Sequence, residues 1–189
     1  MKRIAIVTVV MLAALCAVSN VAAQEHKWKV LAAVSYLSPL SDSTDSAGEV
    51  IEAASAVGWE VGAEWRLVKL IGLELDYMQS TNDVEIDGVV QAEIDVTPLT
   101  LAANIHIIPD NIIDFYVGPC ASYVSFDADA ADIDSEATFG AVAGLDIGIG
   151  EHFAVTGGAR WLDLSAEDDE GTELSIDPIF LRVGVAWRF

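Results

Sequence analysis

The residues able to do chemistry in this chain are mostly carboxylates and arginines: Glu60, Glu64, Arg66, Glu74, Asp76, Asp146, Arg160, Arg182 and Arg188. Each falls in the polar phase of a stretch where apolar and polar residues alternate with period two, so each shares one face of a β-strand with its polar neighbours. Paired carboxylates could serve as general acid and base, whereas carboxylates interleaved with arginines could equally form ion pairs. His106 is the only histidine inside an alternating stretch, and Ser122 and Ser125 stand on the next one, so a hydroxyl nucleophile with a histidine base is a second arrangement to weigh. The serines lie toward the outer end of their strand and His106 toward the opposite rim. That separation leaves His106 as a hydrogen-bonding side chain. Asp127, Asp129, Asp132 and Asp134, and the acids at 167–170, could draw calcium, but neither run has the spacing or the glycine of an EF-hand loop. They read as solvated acidic loops that take up divalent cations loosely against lipopolysaccharide phosphates. Cys120 is a small packing residue. No catalytic, cofactor-binding or metal-binding set stands out.

The elements that carry these side chains are clearest at the end of the chain. From 179 onward Ile179, Leu181, Val183, Val185, Trp187 and Phe189 alternate with Phe180, Arg182, Gly184, Ala186 and Arg188, and nothing follows to cover the apolar face. Lipid would cover it in a transmembrane barrel. The same period predicts strands over 27–38, 56–67, 71–78, 91–107, 114–126, 139–149 and 153–164. In the fourth the apolar phase slips between Val96 and Leu99, and Pro98 at the slip predicts a β-bulge. Gly118-Pro119 marks a second irregular point. Short links at 68–70, 109–111 and 150–152 alternate with long polar connections at 41–46, 79–90, 127–136 and 167–171. The expected fold is all-β: an eight-stranded antiparallel up-and-down transmembrane β-barrel, with short turns and both termini on the periplasmic side.

The N-terminus fits that compartment. Met1, Lys2 and Arg3, an apolar run over 4–18 and Val21-Ala22-Ala23 before Gln24 have the three-part form of a secretory signal peptide. The domains are then a signal peptide at 1–23 and an outer-membrane barrel at 24–189. Leu15 stands where a lipobox before Cys16 would need a small residue, and cleavage would leave Cys120 as the one cysteine. Loss of Lys2 and Arg3 takes the net charge from −21 to −23, which excludes nucleic acid as a partner. Yet the chain is 53% hydrophobic, with no apolar helix-length run after the signal.

A barrel of about eight strands has an interior that side chains nearly fill. The inward charges therefore read as an ion network packing the lower lumen, with Glu64, Arg66, Glu74, Asp76 and Arg188 as its members. Toward the outer end the inward residues turn apolar: Leu37, Met78, Val124, Phe126, Leu162, Leu164 and Phe180. Two accounts of these remain open. They pack on one another and close the mouth, or they line a pocket for hydrophobic molecules above a charged plug, with sideways release near Pro98 or Pro119.

Several short motifs, in order, carry a family resemblance. They are Tyr36-Leu37-Ser38-Pro39, Thr97-Pro98-Leu99-Thr100-Leu101, Phe115-Tyr116-Val117-Gly118, Gly144-Leu145-Asp146, Ile176-Asp177-Pro178 and the terminal Trp187-Arg188-Phe189. The chain resembles the OmpW outer-membrane proteins, which include the AlkL-type hydrocarbon importers. It departs at Gly118-Pro119-Cys120, where that family commonly has Gly-x-Gly, and its loops are shorter. The resemblance implies passive uptake of small hydrophobic molecules with lateral release into the membrane, no enzymatic activity and no cofactor. The expected partners are outer-membrane lipid and lipopolysaccharide, the barrel assembly machinery through the C-terminal strand, and a small hydrophobic ligand. A structural or adhesive barrel acting through its acidic loops, and a lipid-modifying enzyme, are the competing classes.

Overall fold

The computed structural model describes residues 27–40, 43–44, 50–86, 89–109, 112–128, 135–167, 173–175 and 177–189. The signal segment, Cys16, Asp129, Asp132, Asp134 and the acids at 168–170 lie outside the described residues. Eight strands carry the fold: β1 (Trp28–Ser38), β2 (Ala56–Val68), β3 (Ile71–Ile86), β4 (Val89–His106), β5 (Ile113–Ala128), β6 (Glu136–Ile149), β7 (Phe153–Asp163) and β8 (Ile179–Arg188). Consecutive strands pair antiparallel throughout, and β8 pairs with β1, so the sheet closes into a barrel. The seam runs to the last residue: Trp28 and Phe189 exchange both backbone hydrogen bonds, at 3.0 and 2.9 Å. In hydrocarbon an open edge would leave a row of unpaired N–H and C=O groups, and closure removes it.

The outward face is the apolar one. Val34, Val57, Leu101, Val183 and Val185 are all exposed on the wall, while Ser35, Ala56, Thr100, Ala102 and Ala186, in the opposite phase, are buried in the bore. Aromatic pairs mark the ends of this band. At the lower rim Trp28 stacks on Trp65, ring centres 5.9 Å apart, and Trp187 meets Phe153 edge-on at 4.4 Å. Higher up, Trp59 lies 5.5 Å from Tyr77. Rings at both levels suit the interfacial belts that anchor such barrels.

Two expectations about the strands are corrected. The polar segment at 79–90, read as a loop, is largely hairpin: β3 runs on to Ile86 and β4 begins at Val89. Likewise Val50–Ala53 pairs beside the outer part of β3, and Ser165–Glu167 pairs with Glu173–Ser175. Over 79–83 the buried positions, Ser80 and Asn82, are as polar as the exposed ones, so the alternation that betrays a strand is lost while the backbone ladder continues.

Pro98 makes no bulge. Pairing with β5 passes unbroken through Pro98↔Val124, and pairing with β3 has the same register before and after, at Tyr77↔Leu99 and Ser80↔Val96. The proline lacks an N–H to donate, but a one-residue shift would turn every inward residue of β4 outward, so the register holds. Pro119 behaves alike: Ala102↔Cys120 and Ile105↔Val117 share one register. The apparent slip arose because Val96 is apolar and nonetheless points into the bore. Register shifts do occur, between Arg66 and Val68 at the β2–β3 turn and between Val84 and Glu85.

Val183, 61% exposed near the middle of β8, tests the lipid-facing assignment. Val183→Arg is expected to cost about 2–4 kcal/mol in a folding titration in lipid, and Val183→Leu close to nothing. Equal stability of the two variants would mean that this face does not meet hydrocarbon.

Candidate functional site

The lower half of the bore is packed with charge. Lys29 of β1 reaches Glu64 Oε2 at 2.6 Å, Glu74 Oε2 at 3.0 Å and Asp146 Oδ2 at 3.3 Å, and its ammonium sits 4.6 Å from the Tyr116 ring centre. Arg182 of β8 bonds Glu60 Oε1 at 2.8 Å and Glu74 Oε1 at 2.6 Å, lies 3.3 Å from Asp76 Oδ1, and donates to Tyr116 Oη at 2.8 Å. Arg160 of β7 uses Nη2 for both Glu60 Oε1 at 2.8 Å and Asp76 Oδ2 at 3.0 Å. Nearest the periplasm, Arg66 pairs with Asp114 and with Glu64, while His106 places Nε2 2.6 Å from Glu64 Oε1 and Nδ1 3.0 Å from Asp114 Oδ1. Arg188 approaches Asp146 at 3.6 Å.

The topology explains this arrangement. Lys29, Arg160, Arg182 and Arg188 stand on β1, β7 and β8, whereas Glu60, Glu64, Glu74 and Asp76 stand on β2 and β3. The closed sheet therefore aims cations and carboxylates across the bore at one another, and many bridges span the lumen. Space comes from inward glycines: a Cβ at Gly144 would run into the Tyr116 ring, and one at Gly72 into the Glu64 carboxylate. Six carboxylates (Glu60, Glu64, Glu74, Asp76, Asp114, Asp146) face five permanent cations (Lys29, Arg66, Arg160, Arg182, Arg188). His106 carrying both ring protons would bring that count to neutrality. Such a cluster survives burial only because each charge finds partners.

Above the charges lies an apolar layer. Leu37, Met78, Val124, Leu162, Leu164 and Phe180 belong to one buried cluster with Val96, Ala102, Cys120 and Val142, and Phe126 packs against it while partly exposed. Met78, Val124 and Leu162 are fully buried. These side chains pack on one another across the bore. Between the layers Thr100 and Ser122 share a hydrogen bond of 2.8 Å.

The five residues named from the sequence as an ion network are all in the lower lumen but do not form one contact set. Arg66 pairs with Glu64 and Asp114, Arg188 approaches Asp146, and Asp76 belongs higher up with Arg160 and Arg182. Lys29, Asp114 and Tyr116 were missed. Lys29 was available from the alternation that places Trp28 and Val30 outward; Asp114 and Tyr116 were passed over as the opening of a strand. His106 has its ring nitrogens against carboxylates and Ser122 bonds Thr100, so these two are not brought together as base and nucleophile. Cys120 is buried as a free thiol. Among the described residues no group of three or more His, Cys, Asp or Glu is disposed to hold a metal ion.

On the lipid side of β5–β7 the wall is indented. An apolar groove of about 580 Å³ is lined by Val117, Pro119, Ala141, Ala143, Ala159 and Trp161, among others. Val142 and Gly140 also border it, so the groove backs onto the wall beside the inner apolar layer. On the other side of β5 the β4–β5 ladder skips the positions of Pro119 and Gly118, as the β3–β4 ladder skips those around Pro98, while the β5–β6 ladder is continuous.

The family model described as outer membrane protein beta-barrel domain matches residues 8–189. No curated protein matches the chain in sequence. Among solved structures, the outer membrane protein OprG from Pseudomonas aeruginosa is similar with a TM-score of 0.75 at 15% identity, over 86% of this chain and 95% of that one. The outer membrane protein AlkL, determined in lipid bilayers, gives 0.63 at 16% identity over 90% and 96%. The E. coli outer membrane protein W gives 0.62 at 15% identity over 89% and 100%. At such identities the likeness is one of fold.

Arg182 meets three carboxylates and the Tyr116 hydroxyl. Arg182→Met strands carboxylates in a dry bore and is expected to destabilise the barrel by about 3–5 kcal/mol, with part of the loss recovered by adding Glu74→Gln. Urea unfolding in lipid measures both; a single variant as stable as the parent would show that the charges are not held by mutual pairing.

Proposed function

The chain belongs to the outer membrane protein beta-barrel domain family, and from that premise we propose that it gives small hydrophobic molecules passive passage through the outer membrane. The observation that carries this reading is the reversal of polarity along the bore, with an apolar layer at the outer end seated on a charged plug. Water would ordinarily fill the outer mouth of a barrel, and an apolar lining there suits a guest that water excludes. The plug stops that guest from continuing down the axis. A molecule that parts the side chains of the apolar layer, Met78 among the most pliant of them, has the wall as its way out.

Two places favour a sideways exit. The ladder lacks pairs beside Pro98 and beside Pro119, where fewer hydrogen bonds hold neighbouring strands. The second of these lies on the β4 side of Pro119, and the apolar groove bordered by Pro119, Ala141 and Trp161 lies on the other side of the same proline. A guest leaving there would pass from one apolar surface to another and then into acyl chains. No residue in this route is asked to make or break a covalent bond. In keeping with the family, the terminal strand ending in Phe189 would serve the assembly machinery, and the acidic outer segments would meet lipopolysaccharide through divalent cations.

Leu162→Asp and Phe180→Asp place a carboxylate in the apolar layer. Import of a labelled apolar compound is expected to fall in both to the level of cells lacking the protein, with outer-membrane abundance confirmed equal to the parent. Import at the parental rate by both variants would contradict the conduit.

A further inference from the structure

The boundary between the two layers has unused donors. Arg160 is 4% exposed and spends Nη2 on Glu60 and Asp76, while its Nε and Nη1 find no hydrogen-bond partner among the described residues. A guanidinium carries five N–H donors and no acceptor, so three of them point at nothing polar. Across the sheet Arg160 is paired with Val142 on one side and Phe180 on the other, both members of the apolar layer. A cavity of about 10 Å³ lies at this junction, lined by Glu60, Arg160 and Arg182 below and by Val142, Ala143 and Phe180. The floor of the apolar layer is thus a buried cation with donors to spare.

We propose that Arg160 forms the floor of a head-group subsite, and that the molecules the apolar layer admits carry a neutral oxygen acceptor (a ketone, ester or alcohol) at one end of an apolar chain. This rests on the uptake reading above and narrows it to a substrate class. A plain hydrocarbon seated against Arg160 would leave its buried N–H groups dry and unpaired. A ligand oxygen accepting from Nε or Nη1 would satisfy them, and a charged donor makes that bond stronger than one between neutral groups. A carboxylate is the wrong head. The plug already holds six carboxylates against five permanent cations, and Arg160 itself lies between two of them, so an added anion would have no cation free to compensate it. The chemistry of the floor therefore selects an acceptor without charge.

The test uses the full barrel refolded in lipid nanodiscs and three probes of equal chain length: n-octane, 2-octanone and octanoate, with concentrations referred to the lipid phase. The 15N–1H signal of Arg160 Nε is followed through each titration. The ketone is expected to shift that signal saturably and to bind roughly tenfold more tightly than octane, a difference of about 1.4 kcal/mol, with octanoate no better than octane. Arg160→Lys keeps a cation between Glu60 and Asp76 but removes the fork, and is expected to abolish the preference for the ketone; the parental titration stands alone if that variant fails to fold. Equal binding of octane and 2-octanone, or ketone binding that leaves the Arg160 signal unmoved, would overturn the head-group subsite while leaving apolar uptake intact. Binding of none of the three would overturn both.

Discussion

A charge inside a narrow, filled barrel must find its counter-charge among the other side chains of the bore. That constraint shapes the lower half of this molecule. Arg182 and Arg160 reach across from β8 and β7 to share Glu60 and Asp76, and Lys29 spans from β1 to Glu64, Glu74 and Asp146. Lys29 meets Glu64 on the neighbouring strand, while Arg160 and Arg182 reach Asp76, and Lys29 reaches Asp146, across several strands, so these longer bridges tie separate parts of the wall together. A one-residue slip in any strand would exchange its inward and outward faces, exposing charge to lipid and stranding the partner. The same pairs that satisfy the charges also fill the bore, and a filled bore cannot act as a wide aqueous pore.

The upper half obeys a different rule. There the inward residues are apolar at Met78, Val124 and Phe180 and polar at Ser80 and Asn82, so the bore does not contrast with the wall by hydropathy. That is why the fold was legible where lipid touches it and illegible where it does not. Strand number, order, direction and the inward phase of most positions follow from an outward apolar alternation. The arm of β3 does not, because the segment from Gln79 to Asp83 is polar on both faces. Val96 is instructive: read as an outward residue, it implied a slip and a bulge at Pro98, yet it is a buried member of the apolar layer.

The site was legible to the level of faces rather than partners. Alternation assigns Glu64, Arg66, Glu74, Asp76 and Arg188 to the bore, but which cation meets which carboxylate depends on the stagger between strands, and that quantity belongs to the closed sheet. Asp114 and Asp146 are directly opposed on β5 and β6, and an aspartate pair at that position makes sense only once Arg66, Lys29 and Arg188 are seen to arrive from elsewhere. Arg160 is the residue where both rules meet: its Nη2 belongs to the plug and its strand neighbours to the apolar layer.

If the crossed ion pairs seal the bore, nothing hydrated passes along the axis whatever the apolar layer does. Recording from the refolded protein in planar lipid bilayers, in concentrated potassium chloride, tests this most directly. The account predicts a silent membrane, with no stable conductance steps of porin size at either polarity. Long-lived, weakly selective steps of that size would mean a continuous water column through the bore, and a plug of paired charges would be contradicted.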